Sequence, residues 1–145
     1  MNVQQILSLK GSQAVETISP DETIDRAAKI LGEKRYGALI VTDAAGGVAG
    51  VLSERDIVRG LGLHGVAILT QTVASLMTEK VEHCAMTEDV NSVMTRMTAG
   101  RFRHMPVMEG GELAGVLSIG DVVKARILEI ESEKKAMEGM LAGQY

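Results

Sequence analysis

At 145 residues, with 46% hydrophobic side chains and a net charge of −4, the chain is of single-domain size and able to bury its own core. Aromatic residues make up only 2% of it, which together with the negative charge argues against nucleic acid as a partner, since single strands are gripped by aromatic stacking and duplexes by basic surfaces. One cysteine, Cys84, excludes an internal disulfide; with no basic-then-apolar leader and no apolar run near the roughly 18 residues of a membrane helix, the expected setting is cytoplasmic, with no membrane as partner.

The chain opens on a short apolar lead-in, "VQQILSLKG", before an expected strand at Val15 to Ile18. Ile24, Ala27, Ala28 and Leu31 then recur at i, i+3, i+4 and i+7, one face of an amphipathic helix. Ser19-Pro20-Asp21-Glu22 reads as its start signal, with Ser19 as N-cap and Pro20 at N1. "ALIVT" (Ala38 to Thr42), the turn "DAAGG" and "VAGVLS" read as a β-hairpin, followed by a helix from Asp56 to about Leu61. The Gly-rich start of Gly60 to Thr72 marks a linker, and "VASLMTEKV" is a second lead-in.

From there the pattern repeats. Between Ala49–Val58 and Ala114–Val123 seven of ten residues are identical. Ile18 to Leu31 aligns with Cys84 to Met97, and Val90, Val93, Met94 and Met97 repeat the apolar face behind Thr87, the expected second N-cap. A strand at Val81 to Cys84, the hairpin "MPVM", "EGG", "LAGVLS" and a helix from Asp121 onward complete the second copy. The chain therefore divides into a first repeat with its lead-in and linker (1–70), a second repeat (71–127) and a C-terminal helical extension (128–145). On that extension Ile127, Ile130, Met137 and Leu141 form an apolar stripe, suited either to packing on its own domain or to docking a second subunit or partner.

In each copy Ser-x-x-Asp lies where a strand passes into a helix. Ser53 and Ser118 suit N-caps, with Asp56 and Asp121 at N3 near the positive helix end. Capping alone explains these residue types. A carboxylate there is also an acceptor for a ribose cis-diol, and the helix terminus suits a phosphate. His64, His83, Cys84 and His104 lack metal-ligand spacing, and no phosphate loop or nucleophile elbow occurs, so neither a metal site nor catalysis is expected.

"GVLSERD" and "GVLSIGD", each behind the same helix and hairpin, together with "RFRHMPV" (Arg101 to Val107), closely resemble the tandem cystathionine-β-synthase-type (CBS) repeat family over Val3 to about Ile127. The resemblance implies an α+β fold of two repeats, each strand–helix–strand–strand–helix, about a pseudo-twofold axis. It implies two clefts that bind adenosine-containing ligands (AMP, ADP, ATP, NAD(H) or S-adenosylmethionine) in a regulatory, energy-sensing role, and often a homodimer. On that basis Asp56 and Asp121 would hold ribose, with Ser53 and Ser118 assisting at ribose or phosphate. Arg103 and His104, absent from the matching Gly37-Ala38, are phosphate candidates for a cleft that the sequence does not specify, and Arg55 and Arg59 are further ones. The clefts should differ in affinity. Adenine would lie between opening and central strands, near Thr17, Ile18, Ala38 and Leu39 in one half and Cys84, Met105 and Pro106 in the other. The alternative is a module without ligand, serving as a structural or protein-interaction unit, with Ser-x-x-Asp only as caps.

Overall fold

Two short apolar hairpins, each preceded by an amphipathic helix, leave each half one sheet face to cover, and the structure covers both with helices. The computed structural model describes residues 1–11 and 15–143. The first half comprises α1 (Val3–Lys10), β1 (Thr17–Ile18), α2 (Ile24–Lys34), β2 (Ala38–Thr42), β3 (Val48–Ser53) and α3 (Glu54–His64). Two 3-10 turns, Val66–Thr70 and Val73–Ser75, lead into β4 (Cys84–Ala85), α4 (Val90–Gly100), β5 (His104–Glu109), β6 (Glu112–Ser118) and α5 (Ile119–Leu141). Each half holds a three-stranded sheet with its central strand paired parallel to the opening strand and antiparallel to the last, in the orders β1-β2-β3 and β4-β5-β6. The expected mixed α+β architecture of two like halves is present.

The local signals differ in detail. The opening strands shrink to Thr17–Ile18 and Cys84–Ala85. Ser19 does not cap α2. Its hydroxyl accepts from the Asp21 amide at 3.2 Å and its carbonyl from the Glu22 amide at 3.2 Å, so Ser19-Pro20 forms a turn. Thr23, in extended conformation, is the cap and accepts from the Arg26 amide at 3.2 Å. The same holds in the second half: the Glu88 amide donates to the Ala85 carbonyl, and Asp89 rather than Thr87 caps α4, accepting from the Asn91 amide at 2.9 Å. The later helices begin at Glu54 and Ile119 rather than at Asp56 and Asp121, because Ser53 and Ser118 are themselves the caps.

The cores are interlocked. Val3 and Ile6 of α1 are buried with Val90, Val93, Met97, Met105, Leu117 and Val122 of the second half. Ile68 and Val73, which precede the second half, are buried with Ile24, Leu31, Leu39, Leu52 and Ile57 of the first. Backbone clamps fix both crossings: Val3 N–H to the Glu88 carbonyl (2.9 Å) and Val90 N–H to that of Met1 (2.9 Å), matched by Val73 to Glu22 (2.8 Å) and Ile24 to Gln71 (3.0 Å). The lead-in ahead of each half thus completes the core of the other. Glycines in β3 and β6 let these segments come close, since a Cβ on Gly50 would sit 2.7 Å from the Thr78 carbonyl oxygen and one on Gly115 would sit 3.0 Å from Leu7. Helix α5 buries Val122 and Ala125 and then runs outward, leaving Ile127, Ile130, Met137 and Leu141 exposed.

Candidate functional site

The two Ser-x-x-Asp segments form the same capping box. The Ser53 hydroxyl accepts from the Asp56 amide (3.1 Å) while Asp56 Oδ2 accepts from the Ser53 amide (2.9 Å). Ser118 and Asp121 repeat this at 3.1 and 2.8 Å. The first amide of each helix also has a fixed partner: Glu54 N–H donates to the Gly37 carbonyl (3.0 Å) and Ile119 N–H to that of Arg103 (2.8 Å). Each helix start is thereby locked onto the entry of its own central strand. Among the described residues, Oδ1 of both carboxylates carries no hydrogen bond, so each keeps an acceptor at a helix N-terminus.

Two cavities open at these carboxylates, and each joins the capping box of one half to the basic segment of the other. Ser53, Arg55, Asp56 and Arg59 line a cavity of about 870 Å³ with Lys80, Arg101, Arg103 and His104. Ser118, Asp121 and Lys124 line one of about 690 Å³ with Lys10, Arg35 and Tyr36. Gly37 and His104 belong to both walls. A Cβ on Gly37 would lie 3.0 Å from His104 Nε2, so the missing side chain leaves room for the imidazole where the clefts meet. The composite origin of each cleft puts Arg103 and His104 in the same cavity as Asp56 and Arg55.

Arg35 and Arg101 escaped the sequence reading as site residues. They end α2 and α4 in the left-handed region, both with φ 56°, where a non-glycine residue costs about 1 kcal/mol. Glycine is the usual residue at such a helix end. The signal available in the sequence was an Arg-aromatic pair, Arg35-Tyr36 and Arg101-Phe102, at matching places in the repeat. Lys10 and Lys80, the last basic residues of the two lead-ins, were likewise unflagged. Lys10 Nζ lies 2.9 Å from Asp121 Oδ2 and donates to the Val116 carbonyl at 2.9 Å. Lys80 lines the Asp56 cleft without an ion pair among the described residues.

Most residues expected near adenine lie away from the cavity walls. Ile18, Leu39, Cys84 and Met105 are core residues, Pro106 is buried with its carbonyl accepting from the Cys84 thiol (3.7 Å), and Thr17 is exposed on the edge strand. Ala38 alone of this group lines a cavity. Side-chain alternation accounts for Ile18, Leu39, Cys84 and Met105, which share a sheet face with the core residues Val41 and Val107, whereas Thr17 and Pro106 share the opposite face with Ile40 and Val116 of the Asp121 cleft.

Burial works against ionisation of Asp121, but the Lys10 ammonium and the Ser118 amide and hydroxyl outweigh it and hold the carboxyl below its ordinary value. Burial lowers the His104 imidazole; Asp121 and Glu54 oppose this, and Lys10 and Arg103 reinforce it. At neutral pH His104 therefore offers one N–H and one lone pair rather than a positive charge. Among the described residues, no group of three or more His, Cys, Asp or Glu side chains could hold a metal ion, and no helix is long and apolar enough to cross a membrane.

Known proteins share this fold. A CBS-domain-containing protein of Agrobacterium tumefaciens superposes with a TM-score of 0.81 at 45% identity, over 86% of this chain and 92% of that one. The solved structure of CBSX2 in complex with AMP matches with a TM-score of 0.68 at 26% identity, over 81% of this chain and 90% of its own. The mitochondrial CBS domain-containing protein CBSX3 of Arabidopsis thaliana is 29% identical across 99% of this chain and 73% of its own length. The CBS domain family model matches residues 11–62 and 73–128, one match for each half, and the chain belongs to that family.

Proposed function

We propose that the chain is a regulatory module, not an enzyme, that binds an adenosine-containing ligand (AMP, ADP, ATP or NAD(H)) in its clefts. The observation that carries this reading is the repeated composite: a helix-terminal carboxylate with one oxygen unengaged, facing basic residues of the opposite half. A ribose cis-diol can donate to Oδ1 while a phosphate takes the guanidinium groups, each charge-assisted bond contributing about 1.5–3 kcal/mol. The AMP complex of CBSX2 supports the ligand class. Ligand occupancy regulates only if it favours one of two packings of the module, or of the module and a partner.

The test is thermal unfolding of nucleotide-free protein with AMP, ADP, ATP, NAD, NADH and S-adenosylmethionine, and with guanosine counterparts as controls. At about 100 times its dissociation constant a ligand should add about 2.7 kcal/mol and raise the midpoint by a few degrees. Stabilisation by adenosine compounds alone supports the reading, and no stabilisation by any of them overturns it.

A second reading, an interaction module, rests on the outer part of α5. There Ile127 and Ile130 are about half exposed (50% and 48%), and Leu141 is 85% exposed. An apolar stripe this open suits a second copy of the chain, making a homodimer. Sedimentation equilibrium with and without nucleotide decides it: a ligand-independent dimer lost in Ile127→Glu supports the reading, and a monomer at all concentrations removes it.

A further inference from the structure

The two clefts share a capping box but not a charge pattern. The Asp56 cleft is lined by Arg55, Arg59, Lys80, Arg101 and Arg103, none of them in an ion pair among the described residues. Besides Asp56 its acids are Glu54 and Glu82, the latter already engaged by Arg96 at 3.3 Å, so cations still outnumber acids on this wall. The Asp121 cleft has only Arg35 and Lys124 uncommitted, because its third cation, Lys10, is held by Asp121 itself at 2.9 Å. The rest of that wall is largely apolar, with Ile6, Leu7, Leu9, Val15 and Leu128.

We infer that the clefts select different ligand charge: the Asp56 cleft takes the adenosine ligand with a di- or triphosphate chain, and the Asp121 cleft takes a nucleoside or monophosphate. This rests on the reading above, in which Asp56 and Asp121 hold ribose. Guanidinium groups match phosphate oxygens two at a time, so free arginines gain more as phosphates are added. In the Asp121 cleft the Lys10 ammonium already neutralises the carboxylate, and added phosphates find fewer free cations.

The test is calorimetric titration of the full chain with adenosine, AMP and ATP at low and high salt. The variants are Asp56→Ala, Asp121→Ala and the pair Lys80→Ala/Arg103→Ala, which leaves both capping boxes intact and keeps the question open should an Asp variant fold poorly. Asp56→Ala should abolish the tight ATP site and spare adenosine and AMP, and Asp121→Ala should do the reverse. The Lys80→Ala/Arg103→Ala pair should weaken ATP about 100-fold and change AMP by less than about twofold. ATP affinity should also fall more steeply with salt than AMP affinity. If ATP survives in both Asp56→Ala and Lys80→Ala/Arg103→Ala while either Asp variant still removes adenosine, the charge assignment is wrong but the ribose reading stands. If neither Asp variant alters any of the three ligands, or wild-type protein binds none of them, both fail together.

Discussion

The Asp56 and Asp121 clefts begin from the same residues and end as different sites. Their capping boxes agree to within about a tenth of an ångström, and the leucines behind them, Leu52 and Leu117, are equally buried. What differs lies at the motif's variable positions and beyond it: Arg55 is replaced by Gly120 in the second copy, and Lys10 is bonded to Asp121 whereas no ion pair joins Lys80 to Asp56 among the described residues. The shared "AGVLSxxD" is therefore mainly architecture, supplying a glycine for close approach, a core leucine and a helix cap. Specific chemistry resides in those variable positions and in the residues brought up from the other half.

The largest effects should test the equivalence of the halves. Leu52→Ala and Leu117→Ala should each cost roughly 2–5 kcal/mol, since both side chains are fully buried. Because each core contains the other half's lead-in, urea unfolding of either variant should remain one cooperative transition. Separate transitions for the two halves would contradict the interlocking. The glycines should break the equivalence. An alanine at Gly50 meets backbone, the Thr78 carbonyl oxygen at 2.7 Å, along with Met77 Sδ at 2.8 Å. An alanine at Gly115 meets only the end of the Leu7 side chain, at 3.0 and 3.1 Å, which can turn away. Gly50→Ala should cost about 2–3 kcal/mol and Gly115→Ala about 1 kcal/mol or less, and equal losses would refute this account of the bridge at Val51 and Thr78.

A titration separates the cores as well. Cys84 occupies the place of Ile18, and burial pushes its thiol up to about 11. A raised value means that the fold favours the protonated thiol: this contribution is full below the unfolded value near 9 and is lost as pH rises towards 11. The loss is on the order of 2 kcal/mol. Unfolding by urea between pH 8 and 11 should show an alkaline slope that Cys84→Ile removes, and persistence of the whole slope in that variant would assign it to other groups.

How much of this could be read in the chain follows from which patterns are local. The repeat and the periodic faces of α2 and α4 were legible because their signals lie within a dozen residues. Ser53 and Ser118 were legible because a cap and its N3 partner sit three residues apart. Ser19 and Thr87 misled because a turn competes with a cap for the same residue types, and Thr23 and Asp89 won by lying next to the buried face. Leu39 and Met105 lie in the cores because a one-residue change of parity exchanges core and cavity, and the apolar run alone does not fix that parity. The shared cavity of Arg103 and Asp56, and the ion pair of Lys10 with Asp121, join segments far apart in sequence across the meeting of the halves, and no local pattern encodes them.

The smallest prediction isolates that last pairing. Asp121 has a depressed value, so its stabilising contribution is present above its unfolded value of about 3.8 and is lost as pH falls through the folded one. Lys10→Met removes the nearest cation and leaves the carboxylate with burial and its capping bonds. Its titration, followed by carboxyl carbon chemical shift, should move upward, with a stability loss below about 1 kcal/mol because both partners are partly exposed. No movement of the Asp121 titration in Lys10→Met would mean that burial and the capping bonds alone set it, and the distinction between the clefts would then rest on the arginines alone.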